Sequence, residues 1–76
     1  MLDHPNNKDY VLNAVKQDGM LLQYANDLLK DDFEIVYEAV NQNVFSYEYA
    51  SLRLQSDIVI KMFALNKIFL SKYHNL

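Results

Sequence analysis

The 76-residue chain is 51% hydrophobic, has one Gly, one Pro and no Cys, and carries a net charge of −3. That length holds one domain with a small core. Without Cys there is no disulfide and no thiolate metal site, and so few turn residues suit an all-β fold poorly, so helix is expected.

Met1 to Asp9 is polar and lacks the apolar core of a signal peptide. No 18-residue apolar run is present to span a membrane. A soluble protein is expected, with a cytoplasmic location favoured. Asn7 reads as the first helix cap, because its side-chain oxygen can accept a free N–H of the first turn. Val11, Ala14 and Val15 follow at helical spacing, with Leu12 beside them. Gly19 is expected to close this helix in the left-handed conformation. Leu21, Leu22, Ala25, Leu28 and Leu29 then predict a second short helix, with room for a 3₁₀ turn.

The same pattern then returns at one fixed interval. Val11 aligns with Val36, Ala14 with Ala39, Val15 with Val40, Gln17 with Gln42, Tyr24 with Tyr49, Ala25 with Ala50 and Leu29 with Leu54. Asn7, Asp32 and Asp57 are separated by that interval too, each ahead of an apolar stretch. The sequence leaves the second cap open between Asp32 and Asp31, the latter forming a capping box with Glu34. Asn43 stands where a left-handed closure of the second helix is expected. Phe45, Tyr49, Ala50, Leu52 and Leu54, with Tyr47 beside them, predict another short helix. Each unit thus reads as a helical hairpin that covers its apolar face only by stacking on its neighbour. The expected units are 7–31, 32–56 and an incomplete 57–76.

The run D-x-E-[IV]-V-x-x-A-V-x-Q-N, followed by Y-A-S, is carried by Asp32, Glu34, Ile35, Val36, Ala39, Val40, Gln42, Asn43, Tyr49, Ala50 and Ser51. Asp9, Val11, Leu12, Ala14, Val15, Gly19, Tyr24 and Ala25 echo it in the first unit. Over roughly residues 7–57 this resembles the repeats known as domain of unknown function 4116. The resemblance implies tandem helical repeats, usually in several copies within larger proteins. It implies no established activity and no catalytic residues.

The last stretch predicts one longer helix, roughly Asp57 to Tyr73. On it Leu65, Ile58, Phe69, Met62, Tyr73, Val59, Leu70 and Phe63 share a broad arc, opposite Lys61, Lys67, Ser71 and Lys72. That arc of ~160° exceeds the ~100° stripe of a surface helix. Part of it is expected to cover the end of the stack. Ile60 and Ile68 are left over on the polar side, where a terminal unit should be polar.

Features that suggest chemistry have simpler structural readings. Tyr24 and Tyr49 fit ring packing with the hydroxyl toward water or a polar partner. Phe45, Tyr47 and Tyr49 form an aromatic cluster, but base stacking needs interleaved basic residues, and Glu48 lies among them. The charge is also uneven. Residues 1–57 carry all ten acids and four of the seven bases, a sum of −6, whereas residues 58–76 carry Lys61, Lys67 and Lys72 and no acid, a sum of +3. An acidic body argues against nucleic acid. Asp31 and Asp32 fit capping better than acid–base work. His4 and His74 sit at opposite ends of the chain, against a His-based metal site, and His74 reads as a solvated near-terminal residue. No Ser/His/Asp or Cys/His set, phosphate loop or ligand spacing is present. No catalytic residue, cofactor, metal or small-molecule substrate is expected.

The chain therefore reads as an all-α short stack of helical-hairpin repeats ending in a longer C-terminal helix. The expected function is non-catalytic protein–protein interaction, its candidate contacts being Ile60, Ile68, Phe69, Phe45 and Tyr47. The simplest version is a homodimer in which the basic tail of one subunit meets the acidic body of the other. A small soluble inhibitor or mimic that blocks a partner enzyme, and a helix lying on an anionic membrane surface, are the alternatives.

Overall fold

Helices start in this chain wherever a short polar side chain can take up free N–H groups. The computed structural model describes residues 2–73. Asn7 accepts the Tyr10 N–H at 3.0 Å and opens α1, Lys8–Gln17. Asp18 accepts the Met20 N–H at 3.1 Å and opens a 3₁₀ helix, Gly19–Tyr24. Asn26 accepts the Leu29 N–H at 3.0 Å and opens the one-turn α2, Asp27–Lys30. Asp32 opens α3, Phe33–Gln42, with the Ile35 N–H at 3.1 Å. Asn43 opens a second 3₁₀ helix, Val44–Tyr49, through the Phe45 N–H at 3.0 Å. Ser51 opens α4, Leu52–Gln55, through the Leu54 N–H at 3.2 Å. Asp57 opens the longer α5, Ile58–Tyr73, through the Val59 and Ile60 N–H groups at 2.9 and 3.2 Å. The protein is all-α, with no strand among the described residues.

The first three elements and the next three start and end at one constant separation, that of Lys8 from Phe33, and their caps keep it too. Hydrogen bonds between elements follow the same interval. The Asn26 N–H donates to the Pro5 carbonyl at 3.0 Å and the Ser51 N–H to the Lys30 carbonyl at 2.9 Å. Asp32, not Asp31, is the cap of α3.

Three expectations need correction. The second half of each segment is not one short helix. It is a six-residue 3₁₀ helix followed by a single α-turn, separated by Ala25 or Ala50 in an extended conformation. Both alanines are buried, and the Asn26 and Ser51 caps restart the helix just after them. Neither Gly19 nor Asn43 is left-handed: no described residue has a positive φ, and α1 and α3 end instead in extended Asp18 and Asn43. Gly19 is needed for space. A Cβ there would run into the Ala39 carbonyl oxygen and lie 3.2 Å from both the Ala39 carbonyl carbon and the Asn43 nitrogen. The Gly19 N–H donates to Gln42 Oε1 at 2.6 Å, so backbone and side chain lock the first 3₁₀ helix onto the end of α3.

The core lies between α1 and α3 and under the 3₁₀ helices. Val11, Val15, Leu22, Ile35, Val36, Ala39, Val40, Leu54 and Ile60 are its fully or almost fully buried side chains, with Ala14 half-buried against them. Fully burying one aliphatic side chain is worth about 1.5–3 kcal/mol, so this set supplies most of what a chain of this size has to hold it together. Surface ties add precision. Lys8 Nζ lies 3.1 Å from Asp32 and 3.2 Å from Glu34, joining α1 to the start of α3. Those carboxylates raise the Lys8 pKa above its ordinary value. Asp31 accepts from the Ser51 hydroxyl at 2.6 Å and from Arg53 Nε at 2.8 Å, and its carbonyl accepts from Arg53 Nη2 at 2.8 Å. These contacts, the Ser51 hydroxyl first, hold the Asp31 carboxyl below its ordinary pKa.

Candidate functional site

α5 is the last described element, and the cap at Asp57 fixes how it sits. Because Asp57 follows Asp32 by the same interval, Ile60 and Ala64 fall where Ile35 and Ala39 fall on α3, and all four are buried. Phe63 adds a ring stacked on Tyr37 at 4.3 Å and 15°, and Tyr37 stacks in turn on Phe33 at 6.1 Å. Lys67 lies half-buried with its ammonium 5.3 Å from the Phe63 ring, so its charge completes the stack. The inner face of α5 is therefore Ile60, Phe63, Ala64 and Lys67.

This orientation is opposite to the one expected from hydrophobicity. Ile60 is not a contact residue: it is 0% exposed and belongs to the core of its own chain. Of the apolar arc Phe63 turns in, while Ile58, Val59, Met62, Leu65, Phe69 and Leu70 point outward. Ile58, Met62, Leu65 and Phe69 make a stripe 53–65% exposed, flanked by Val59, Ile68 and Leu70 at 50–57%. The register of the cap and the Phe63 stack outweigh the apolar arc in choosing which side of the helix is buried. Among the other candidates, Phe45 is exposed, and so are Ile68 and Phe69. Tyr47 is half-buried and its hydroxyl donates to the Gln55 carbonyl, so most of this ring serves packing. His74 lies outside the described residues.

A groove of about 230 Å³ runs beside the outward stripe, between the second 3₁₀ helix and α5. Val44, Phe45 and Tyr47 form one wall, Ala64, Leu65 and Ile68 the other, with Glu48 and Lys61 at its polar edge. Its origin can be read from the residues. One interval on, Val44 stands in the place of Gly19 and Ala64 in the place of Ala39. Gly19 reaches the Ala39 backbone because it has no Cβ, whereas Val44 carries a branched one. Lys67 stands in the place of Gln42, and an ammonium cannot accept a bond like the one that Gly19 donates. The close approach made at α3 therefore cannot be repeated at α5, and a groove remains.

Nothing at this surface gathers the groups of a reaction centre. Among the described residues no group of three or more His, Cys, Asp or Glu could hold a metal ion. Tyr49 is half-buried, and its hydroxyl pKa is pushed up by burial first and by Glu48 second. Tyr24 is exposed. Ser46 is fully buried in the second 3₁₀ helix, with its hydroxyl lacking a hydrogen-bond partner.

A family model described as Domain of unknown function (DUF4116) matches residues 7–55. The chain belongs to this family. No curated protein and no solved structure matches it. The residues that carry the family pattern have structural roles in this chain. Asp32, Asn43 and Ser51 cap helices, and Ile35, Val36, Ala39, Val40 and Ala50 are buried. Gln42 holds Gly19, and Glu34 pairs with Lys8. α5 lies beyond the matched residues, and no helix among the described residues is long and apolar enough to cross a membrane.

Proposed function

We propose that the protein is a non-catalytic protein–protein interaction module. In this reading residues 7–31 and 32–56 are two copies of one helical unit, stacked as a small rigid support. α5 is an incomplete third copy that serves as the contact element. The single observation that carries the reading is the outward apolar stripe of α5, Ile58, Met62, Leu65 and Phe69, each more than half exposed. A contiguous apolar patch on a small protein marks a surface made to be covered. Comparison with α3 supports this. Val36 and Val40 are fully buried, whereas their counterparts one interval on, Lys61 and Leu65, are exposed. At Leu65 the stripe thus opens a side that is covered on α3, while the counterparts of Ile58 and Met62, Phe33 and Tyr37, are exposed and half-buried there.

The buried positions of the family pattern agree with a scaffold role, because its residues are occupied in capping and packing. Site-specific photo-crosslinking tests the reading. A benzophenone side chain at Leu65 or Phe69 should yield a discrete protein adduct in extract from the source cells, while one at exposed Asn13 on α1 should not. Absence of any adduct from both α5 positions would end the proposal.

A further inference from the structure

We propose that the occupant of the α5 stripe is a second copy of this chain, its α5 lying antiparallel to the first across a twofold axis. The inference rests on the interaction reading above and names its partner.

Ile58, Met62, Leu65 and Phe69 are spaced four, three and four residues apart. That alternation of four and three is the heptad spacing of a helix-pairing seam, which seats side chains of one helix between those of another. The seam lies opposite buried Ile60 and Ala64, so a facing helix can reach it without disturbing the protomer. The two ends of the molecule differ. Among the described residues no large apolar side chain before Tyr24 is exposed, and α1 presents Lys8, Asp9, Asn13, Lys16 and Gln17 to solvent. A head-to-tail chain of copies would press the apolar seam onto that polar end. A twofold pairing brings seam to seam, and it closes.

Charge selects the direction. α5 carries Lys61, Lys67 and Lys72 and no acid. Parallel helices would hold Lys61 and Lys72 each at the same level along the seam as its own counterpart, like charge near like charge. Antiparallel helices centred between Met62 and Leu65 set Met62 against the second copy's Leu65, and Ile58 against its Phe69. Lys61 then borders the second copy's Ile68, and Lys72 approaches the acidic Asp57 at the start of the opposite helix. At roughly 100 Å² for each half-exposed side chain, the four seam residues offer about 400 Å², and covering two of the flanking Val59, Ile68 and Leu70 as well brings this to the roughly 600 Å² lower end of what one partner contributes to a standard interface.

The test is sedimentation equilibrium of the intact chain over micromolar to millimolar concentrations, in low and high salt, with dimer distances from spin labels. Dimers should form and persist in molar salt, because the contact is apolar and only the Lys72–Asp57 approach at its edge is screened. Leu65→Glu should raise the dissociation constant at least ~100-fold, since the loss occurs twice per dimer. Leu65 is exposed, so that variant should keep its circular dichroism spectrum and melting curve; Leu28→Glu, an exposed position on α2 and not on α5, should dimerise normally. The chain has no Cys, so single Asn66→Cys and Ser71→Cys variants label cleanly. The distance between labels at 71 should exceed that at 66 by roughly 10 Å in the antiparallel pair. Equal distances would overturn the antiparallel arrangement, and dissociation by salt would overturn the apolar seam. A strict monomer at millimolar concentration would overturn the proposal outright. Should the Leu65 photo-crosslink still form a heavier adduct, the interaction reading stands with a different protein as partner. Flotation of the monomer with anionic phospholipid vesicles, where no dimer forms, would assign the seam to a membrane surface and likewise overturn the proposal.

Discussion

Replacing Gly19 by alanine tests the tightest contact in the molecule. A Cβ at this position would meet the Ala39 carbonyl oxygen and come within 3.2 Å of two further backbone atoms of the α3 terminus. Those atoms cannot yield easily, because the Asn43 N–H donates to the same Ala39 carbonyl at 2.9 Å. Overpacking of this kind costs about 1–3 kcal/mol. Moving the 3₁₀ helix away to relieve it also stretches the 2.6 Å bond from Gly19 N–H to Gln42, a loss of about 1 kcal/mol. Against this, Gly19 has no positive φ, so alanine adopts its backbone without strain and stiffens the unfolded chain, a gain of about 0.4–1 kcal/mol. The net expectation is a loss of about 2 kcal/mol. For a chain this short that corresponds to a fall in melting temperature on the order of 10 °C. Urea denaturation followed by circular dichroism should show a lower midpoint with an unchanged slope. Gln42→Ala, which removes the hydrogen bond but adds no atom, should lose only about 1 kcal/mol. A Gly19→Ala protein as stable as the natural one would show that the 3₁₀ helix does not press on α3, and would remove the steric account of the groove.

Three other outcomes follow from particular side chains. Ile60→Ala should cost about 2–5 kcal/mol as a cavity in the core, while Ile68→Ala should stay within about 0.5 kcal/mol; equal losses in chemical denaturation would mean that α5 is rotated. Ser46→Ala should leave stability unchanged or raise it by up to about 1 kcal/mol, because a buried hydroxyl without a partner gives nothing back for its lost hydration; a clear loss would reveal a partner for that oxygen. Asp31 has a folded pKa below its unfolded value, so its contribution is complete above the unfolded pKa of about 3.9 and is lost as pH falls through the lower folded one. Stability should therefore decline below about pH 4, and Asp31→Asn should flatten that decline; an unchanged acid limb in pH-dependent thermal melts would refute the Asp31–Ser51–Arg53 tie.

Much of the scaffold is legible in the sequence because helix starts leave a chemical mark. Asn7, Asp32 and Asp57 are caps at the positions where polar residues precede apolar periodicity, and the helices run as that periodicity predicts. The same logic applies to Asp18 with Asn43, and to Asn26 with Ser51, since each pair keeps the separation of Asn7 from Asp32. Those pairs mark the break between the 3₁₀ helix and the single α-turn that apolar spacing alone hides. Gly19 resists the sequence reading for a physical reason. Glycine after a helix is compatible both with a left-handed closure and with a close approach, and only the position of Ala39 distinguishes them. The aromatic stack cannot be read at all, because Phe33, Tyr37 and Phe63 meet across two helices.

The candidate surface is legible in its composition but not in its direction. A broad apolar arc on a terminal helix is visible from the periodicity of α5, and the customary inference is that the apolar side faces inward. That inference holds when burial of the helix is the only thing that fixes its rotation. Here the rotation is set beforehand, by Asp57 holding the first turn and by Phe63 stacking on Tyr37. Ile60 and Ala64 then take the positions that the interval assigns to them, and the larger apolar set has nowhere inside to go. Turning α5 to bury Leu65 and Phe69 would expose Ile60, break the ring stack and drive large side chains toward space sized for Ala64. The outward stripe is thus a consequence of a register that α5 shares with α3: the counterparts of Ile58, Met62 and Leu65 there are Phe33, Tyr37 and Val40, apolar as well, and of these Val40 is fully buried whereas Leu65 is exposed. Composition differs at the flank of the stripe: Glu34 on α3 is exposed and charged, whereas its counterpart on α5 is the exposed but apolar Val59. The apolar character of Ile58, Met62, Leu65 and Phe69 is what the proposed pairing would account for.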